Sequence, residues 1–340
     1  MELSKDLMVI NPKSKIQTWR DRYGENILTV ESGRRKLILA DFTLFTYFWD
    51  PQKIPEPTVV YVGAAPGIHI PFISKCFPQI KKFELYDPAE FKVESTEKIQ
   101  IHQEFFTDKL AETYRDRKDV IFISDIRGHK EKDMPVEIFE RDILIPNMRD
   151  QARWYQIMTP PLASLKFRLP YYKQSKSPIF EYLPGTIVKQ VWTGYQSTET
   201  RLIPSGTKMI DYNLKWYEEA MFYHNALLRN EIQVFANPLE GKKKLESIDG
   251  KELLNDFDSV YEAIVLRDYI IKYSGKYKAN QVVALTRAIT TQVNKMKKKS
   301  LSMRELRAIM KKSTIPKELP EDPKQISVQI VTDSSNYCKP

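Results

Sequence analysis

Cysteine is nearly missing: Cys76 and Cys338 are the only two in 340 residues, they form no CxxC pattern, and just four histidines accompany them. Neither a disulfide framework nor a zinc or other metal centre is expected, and the usage fits a reducing, cytosol-like compartment. No run of about 18 apolar residues occurs, so no membrane span is expected. The opening MELSKDLMVI lacks a basic segment leading into an apolar one, so no secretory signal is expected either. Acidic charge is in short supply, with 44 Asp and Glu against 53 Lys and Arg, a net charge of +9. That balance concerns partners rather than fold and favours polyanions such as nucleic acid. The positive charge gathers late, in Lys242-Lys243-Lys244 and from Lys295 to Lys312, although a charge run is commonly just a solvated face.

What is present is enough apolar residue, 42%, with 11% aromatics, for a sizeable core. The length suits one large α/β domain or two smaller ones at about 150 residues each. Residues 1–32 show weak periodicity and read as an irregular arm. GRRKLILADFTLFTYFW, over 33–49, has apolar residues at helical spacing and ends before Pro51, and a Pro-rich linker follows. From Val59 short β-branched runs alternate with helical segments. Strands are expected at 58–62, 82–86, 98–102, 119–124, 163–169, 186–192 and 198–203. Helices are expected at 68–76, 108–117, around 136–158, and then at 213–230, 252–273 and 280–298. Alternation of this kind predicts a mostly parallel sheet covered on both faces. The division expected is an arm over 1–32, one domain over 33–300, and a basic extension over 301–340.

Ligands of such sheets bind beyond the carboxyl ends of the strands. VVYV ends in Gly63-Ala64-Ala65-Pro66-Gly67, where glycines let backbone N–H groups approach a ligand. FELY ends in Asp87, placed to accept hydrogen bonds from two ribose hydroxyls. The turn is not GxGxxG, which favours a mononucleotide-like cofactor over a dinucleotide. VIFIS ends in Asp125, costly after an apolar strand unless paired, though an Asp there is often a cap or loop carboxylate. In ASLKFRLP, alternation puts Ser164, Lys166 and Arg168 on one face, as an edge strand with a solvated face would also do. TETRLI puts Glu199 and Arg201 together. Lys36 stands in a helix's first turn, where a cation opposes the dipole unless an acid faces it; Arg35 beside it fits plain surface basicity equally well.

The ordered set Lys36, Asp125, Lys166 and Glu199 behind a GxxPG turn resembles the Lys-Asp-Lys-Glu tetrad of RNA 2′-O-methyltransferases. VVYVGAAPGIHI, IFISDIR, ASLKFRLPY, STETRL and WYEEAMFYHNALLRN are similar to the poxvirus-type cap-specific mRNA 2′-O-methyltransferases, which double as regulatory, processivity-conferring subunits of poly(A) polymerase. Order and approximate spacing hold from about Lys36 to about residue 295. The resemblance implies a Rossmann-like methyltransferase fold, a mostly parallel seven-stranded sheet with one antiparallel strand near its edge. It implies S-adenosylmethionine as cofactor, held by Gly63, Ala64, Ala65, Pro66, Gly67, His69, Asp87, Phe105, Asp125 and Arg127. It makes Lys36, Asp125, Lys166 and Glu199 catalytic and implies no metal.

A ribose 2′-hydroxyl is a poor nucleophile, so the task is alignment with the methyl donor and removal of one proton. Lys166 is either the general base or a cation that orients the hydroxyl and stabilises oxyanion charge, and the two stay open. For the cap, a methylguanine cation would sit between aromatic rings with carboxylates at its edge. The resemblance assigns Tyr171, Tyr195 and Glu218 to that task, with Tyr23 a further candidate contact; Arg168, Arg127 and the basic 295–312 segment are candidate RNA contacts through phosphates. Lys173 stands where the family has a second carboxylate. The implied partners are capped mRNA and a poly(A) polymerase catalytic subunit, with no membrane. The implied setting is the virion and the host cytoplasm, in the factories of a virus that caps its own transcripts. The alternatives are a non-catalytic RNA-binding polymerase subunit and a 2′-O-methyltransferase of uncapped RNA.

Overall fold

The computed structural model describes residues 5–128, 131–232 and 256–295, with residues 235, 239, 245–246 and 252–253 besides. The late basic stretches at 242–244 and 296–312, and the whole 301–340 extension, lie outside the described residues.

The sheet is organised by two runs that are buried at every position, TVVYV and VIFIS. Its strands in chain order are β1 (Val9–Ile10), β2 (Thr58–Val62), β3 (Lys82–Tyr86), β4 (Ile99–His102), β5 (Val120–Ser124) and β6 (Leu162–Phe167). A separate hairpin-like pair uses β7 (Ile179–Tyr182) and β10 (Ile210–Asn213), while β8 (Gly185–Lys189) and β9 (Thr200–Pro204) return to the main sheet. The spatial order is β1-β8-β9-β6-β5-β2-β3-β4. Strands β4, β3, β2, β5 and β6 are parallel, β9 runs against β6, and β8 against β9. Seven strands with one reversed near the edge therefore match the expectation, and β1 adds an eighth by pairing antiparallel with β8.

Alternation along the strands divides the interior into two cores. Val59, Tyr61, Ile121 and Ile123 face α1 (Gly33–Thr43), α2 (Ile70–Cys76), α7 (Phe257–Ser274) and α8 (Ala279–Lys295). Val60, Val62, Val120 and Phe122 face α3 (Asp108–Thr113), α5 (Ile145–Met158) and α6 (Leu214–Tyr223), with α4 (Val136–Phe139) leading into α5. A strand covered on both sides has no polar face to show, which is why these runs are apolar throughout. Each such side chain contributes about 1.5–3 kcal/mol relative to exposure. On the first side Phe42, Phe77 and Tyr269 stack edge to face with centroids 5.0–5.2 Å apart.

The departures have local causes. The arm over 1–32 is not wholly irregular: two residues of it pair with β8, too few to leave a periodic signal. Strands β7 and β10 went unforeseen because they are short and half exposed. The segment expected to be helical over 252–273 begins at Phe257, where the Asp256 side chain caps it by accepting the Ser259 N–H at 2.9 Å. Glu252–Leu253 instead pairs with Leu245–Glu246. Strand β6 is not an edge strand with a solvated face: all six residues are buried, between β5 and β9. Arg35 is not surface basicity but fully buried, its guanidinium paired two-fold with Glu262 at 2.5 and 2.7 Å and bonded to Thr290 at 2.8 Å.

Candidate active site

Strand β2 sends the chain to β3 on one side and, later, β5 lies on the other, so the carboxyl ends of β2 and β5 flank a topological switch point. Gly63 leaves β2 there with φ +77°, and a Cβ on it would stand 2.7 Å from the Ile126 backbone nitrogen. Only glycine lets the two strand ends lie this close. Gly67 has φ +70°, and a Cβ there would meet Val93 at 2.8 Å. Asp87 spans the turn from β3: one oxygen accepts the Ala65 N–H at 3.0 Å and the other the Ala89 N–H at 2.9 Å. A cavity of about 90 Å³ opens between this turn and α1, lined by Gly63, Ala65, Pro66, His69, Arg34 and Asp125 among others. His69 is buried with its Nε2 3.4 Å from Asp41 Oδ2, and burial pushes the Asp41 carboxyl up despite His69. Phe105, by contrast, is 73% exposed on the loop after β4.

The register of the sheet assembles the charged cluster. Val62 lies beside Ser124, and Ser124 beside Leu165, so Asp125 leaves β5 next to the Gly63 turn and near Lys166. Lys166 pairs with Arg201 across the antiparallel β6–β9 contact, which puts the two cations side by side. Lys36, from the first turn of α1, reaches Glu199 at 2.6 Å. Lys166 Nζ stands 3.5 Å from Asp125 and 3.6 Å from Glu199, between the two acids. The four residues expected together are together, each with a side chain between 11 and 17% exposed.

Arg201, which strand alternation places only on the same face as Glu199, completes the cluster. Its guanidinium bonds the Asp125 carboxylate and, at 3.1 Å, the Ser124 carbonyl. Gln190, with its amide nitrogen toward Glu199 at 3.2 Å and its oxygen toward Arg201 Nε at 3.1 Å, bridges the two. Burial alone would raise the Asp125 carboxyl; Arg201, then Lys166 and Lys36, outweigh it and hold it well below the usual carboxylate range. Glu199 is lowered against burial in the same way, by Lys166 and Lys36. The cluster thus sets three basic groups, Lys36, Lys166 and Arg201, against two carboxylates. Nearby, burial pushes the Arg127 guanidinium down, and its Nη2 and the Arg168 Nε are buried without hydrogen-bond partners.

Tyr171, Tyr172 and Lys173 follow β6. The Tyr172 N–H donates to Glu218 at 3.0 Å, which ties α6 to this loop. Lys173 Nζ lies 4.8 Å from the Trp19 ring centroid, a partner from the arm that sequence spacing gave no hint of. The Gln17 N–H donates to the Glu219 carbonyl at 3.2 Å, so the arm runs along α6. Tyr195 sits on another loop with Arg22 5.7 Å from its ring, and Tyr23 is almost wholly exposed.

Residues 20–257 match the family model described as poly(A) polymerase regulatory subunit. The chain belongs to that family. This chain is 26% identical over 317 residues to the fowlpox virus cap-specific mRNA (nucleoside-2′-O-)-methyltransferase, covering 86% of itself and 96% of that protein. It is also 26% identical over 216 residues to the myxoma virus protein of the same name, covering 59% of itself and 62% of the relative. Among solved structures, bluetongue virus VP4, described as a multifunctional RNA-capping production line, superposes with TM-score 0.38 at 12% identity over 69% of this chain and 40% of that one, too distant to bear on function.

Proposed function

We propose that the chain methylates the ribose 2′-hydroxyl of the first transcribed nucleotide of capped mRNA, with S-adenosylmethionine as donor, and serves as regulatory subunit of a poly(A) polymerase. The observation that carries the reading is the convergence of Lys36, Asp125, Lys166 and Glu199 beside the Gly63 turn. The names of the fowlpox and myxoma relatives support the activity, and the family model supports the polymerase role.

The residues fit such a cofactor. A cavity of about 90 Å³ lies against the Gly63 turn, lined by Gly63, Ala65, Pro66 and Asp125 among others, and Asp87 stands at the next strand end with lone pairs to spare for ribose hydroxyls. When bound, the cofactor supplies an electrophilic sulfonium methyl. This chain's own work is then to hold the ribose and manage one proton. Asp125 is pinned by Arg201 and Glu199 by Lys36, so the lysine between them is held loosely by two fixed carboxylates. Lys166 Nζ is the group to receive the hydroxyl. As an amine it takes the proton; as an ammonium it orients the oxygen and stabilises the charge that develops there. The unpartnered N–H of Arg127 favours an RNA phosphate nearby. Action in the virion and host cytoplasm goes with this reading.

Lys173 favours a second reading, methylation of RNA without regard to a methylated cap. An ammonium on the Trp19 ring stands where the family places a carboxylate for the methylguanine edge. One assay separates the two: labelled S-adenosylmethionine is offered with RNA ending in a methylated guanosine cap, an unmethylated cap or a 5′-triphosphate. Transfer confined to capped ends supports the first reading, equal transfer to all three the second. No transfer to any of them would sink both.

A further inference from the structure

Glu140 is a buried carboxylate outside the charged cluster, and among the described residues its side-chain hydrogen bonds go to the segment just beyond β6. It opens the wide-turn segment Glu140–Leu144 that joins α4 to α5. Its Oε1 accepts from Arg168 Nη2 at 2.7 Å and from the Tyr171 N–H at 3.0 Å, and its Oε2 lies 3.2 Å from the same N–H. The Arg168 guanidinium carbon lies 4.5 Å from the Tyr171 ring centroid and 5.5 Å from that of Phe139. One face of Tyr171 therefore rests on a cation that is itself neutralised from the side. Burial pushes the Glu140 carboxyl up, against the Tyr171 N–H and Arg168.

A cation behind an aromatic ring draws on the same π-electron density that a second cation would use in front. Left unneutralised, Arg168 would repel a methylguanine cation on the open face and leave a neutral guanine nearly unaffected. We infer that Glu140 is a positioning residue that fixes Tyr171 and cancels the charge of Arg168 behind it, so that the ring favours a cationic base over a neutral one. The inference rests on the reading of Tyr171 as a platform for the RNA 5′ end.

Glu140→Gln removes the charge while the amide oxygen keeps both Oε1 bonds, and it gives up the longer Tyr171 N–H bond to Oε2. Methyl transfer is measured on RNA with a methylated and with an unmethylated guanosine cap. The expected result is a KM for the methylated cap raised roughly three- to tenfold, with the unmethylated cap, the cofactor KM and kcat unchanged. The double variant Glu140→Gln/Arg168→Gln should recover the preference, and it decides the matter if the single variant folds poorly. A merely structural role would instead shift both caps together and would not be rescued, and that outcome overturns the inference. Tyr171→Ala is the control on the underlying reading. If it leaves the cap preference intact, Tyr171 is not the platform, and both ideas fall. If it abolishes the preference while Glu140→Gln leaves it whole, only the role of Glu140 falls.

Discussion

Arg35 and Lys36 are neighbours on α1, yet they belong to two charge networks built on different terms. Arg35 enters a sealed one: Glu262 meets it with two short bonds and also accepts the Trp192 indole N–H at 3.0 Å, and close by Asp258 grips Arg229 at 2.7 and 2.8 Å. Lys36 enters an open one, where Lys166 stands 3.5 and 3.6 Å from its acids and a cavity reaches Asp125. Both networks pair basic side chains with carboxylates, the first fully buried and the second slightly open to solvent. The difference is that in the first network each guanidinium is gripped two-fold by its carboxylate, and in the second a lysine is left with room for one more partner. Two-fold pairing ties α1 to α7, with one further bond to Thr290 on α8; looser pairing at a strand end leaves Lys166 Nζ with room for one more partner.

The comparison can be broken most severely at Lys166. Lys166→Ala should lower methyl transfer at least about a thousandfold, while thermal stability and cofactor affinity stay near those of the parent. Activity within tenfold of the parent would remove Lys166 from the mechanism. Glu262→Ala should do the reverse, costing about 3–5 kcal/mol of stability in urea unfolding because it strands a buried guanidinium. A variant as stable as the parent would show that the sealed network is ornamental. Asp87→Ala should weaken S-adenosylmethionine binding about tenfold by calorimetry, since it removes a ribose acceptor and a brace of the turn together; unchanged affinity would move the cofactor elsewhere.

The smallest effect is a matter of pH. Asp125 and Glu199 are held below their usual values, so the stability they supply is complete above the unfolded carboxylate range of about 4 and is lost as pH falls toward their folded values. Asp125→Asn should therefore flatten the fall of the urea midpoint below about pH 4.5. A slope identical to the parent's would mean that Asp125 is not held in its ionised form by its cations.

Legibility in the sequence followed how locally each feature is encoded. Strands β2 and β5 were readable because double burial makes them continuously apolar, and Gly63 because its turn interrupts such a run. The four charged residues were readable through a family resemblance and not through spacing, since 163 positions separate Lys36 from Glu199. Arg201 carried a usable signal, its alternation with Glu199, whose meaning depended on a β6–β9 register no local pattern specifies. Glu140 and Trp19 carried none: a carboxylate in an amphipathic helix and an aromatic in an arm have ordinary surroundings until the chain folds Arg168 and Lys173 onto them.

The most direct test follows the transferred methyl to its atom. Capped RNA labelled by the protein from S-adenosylmethionine is digested to nucleosides, beside a reaction with Lys166→Ala. The label should appear as a 2′-O-methyl nucleoside from the first transcribed position and be lost with the variant. Label on a base nitrogen, or on the same ribose from a fully active variant, would contradict the assignment of the open cluster as the site of methyl transfer.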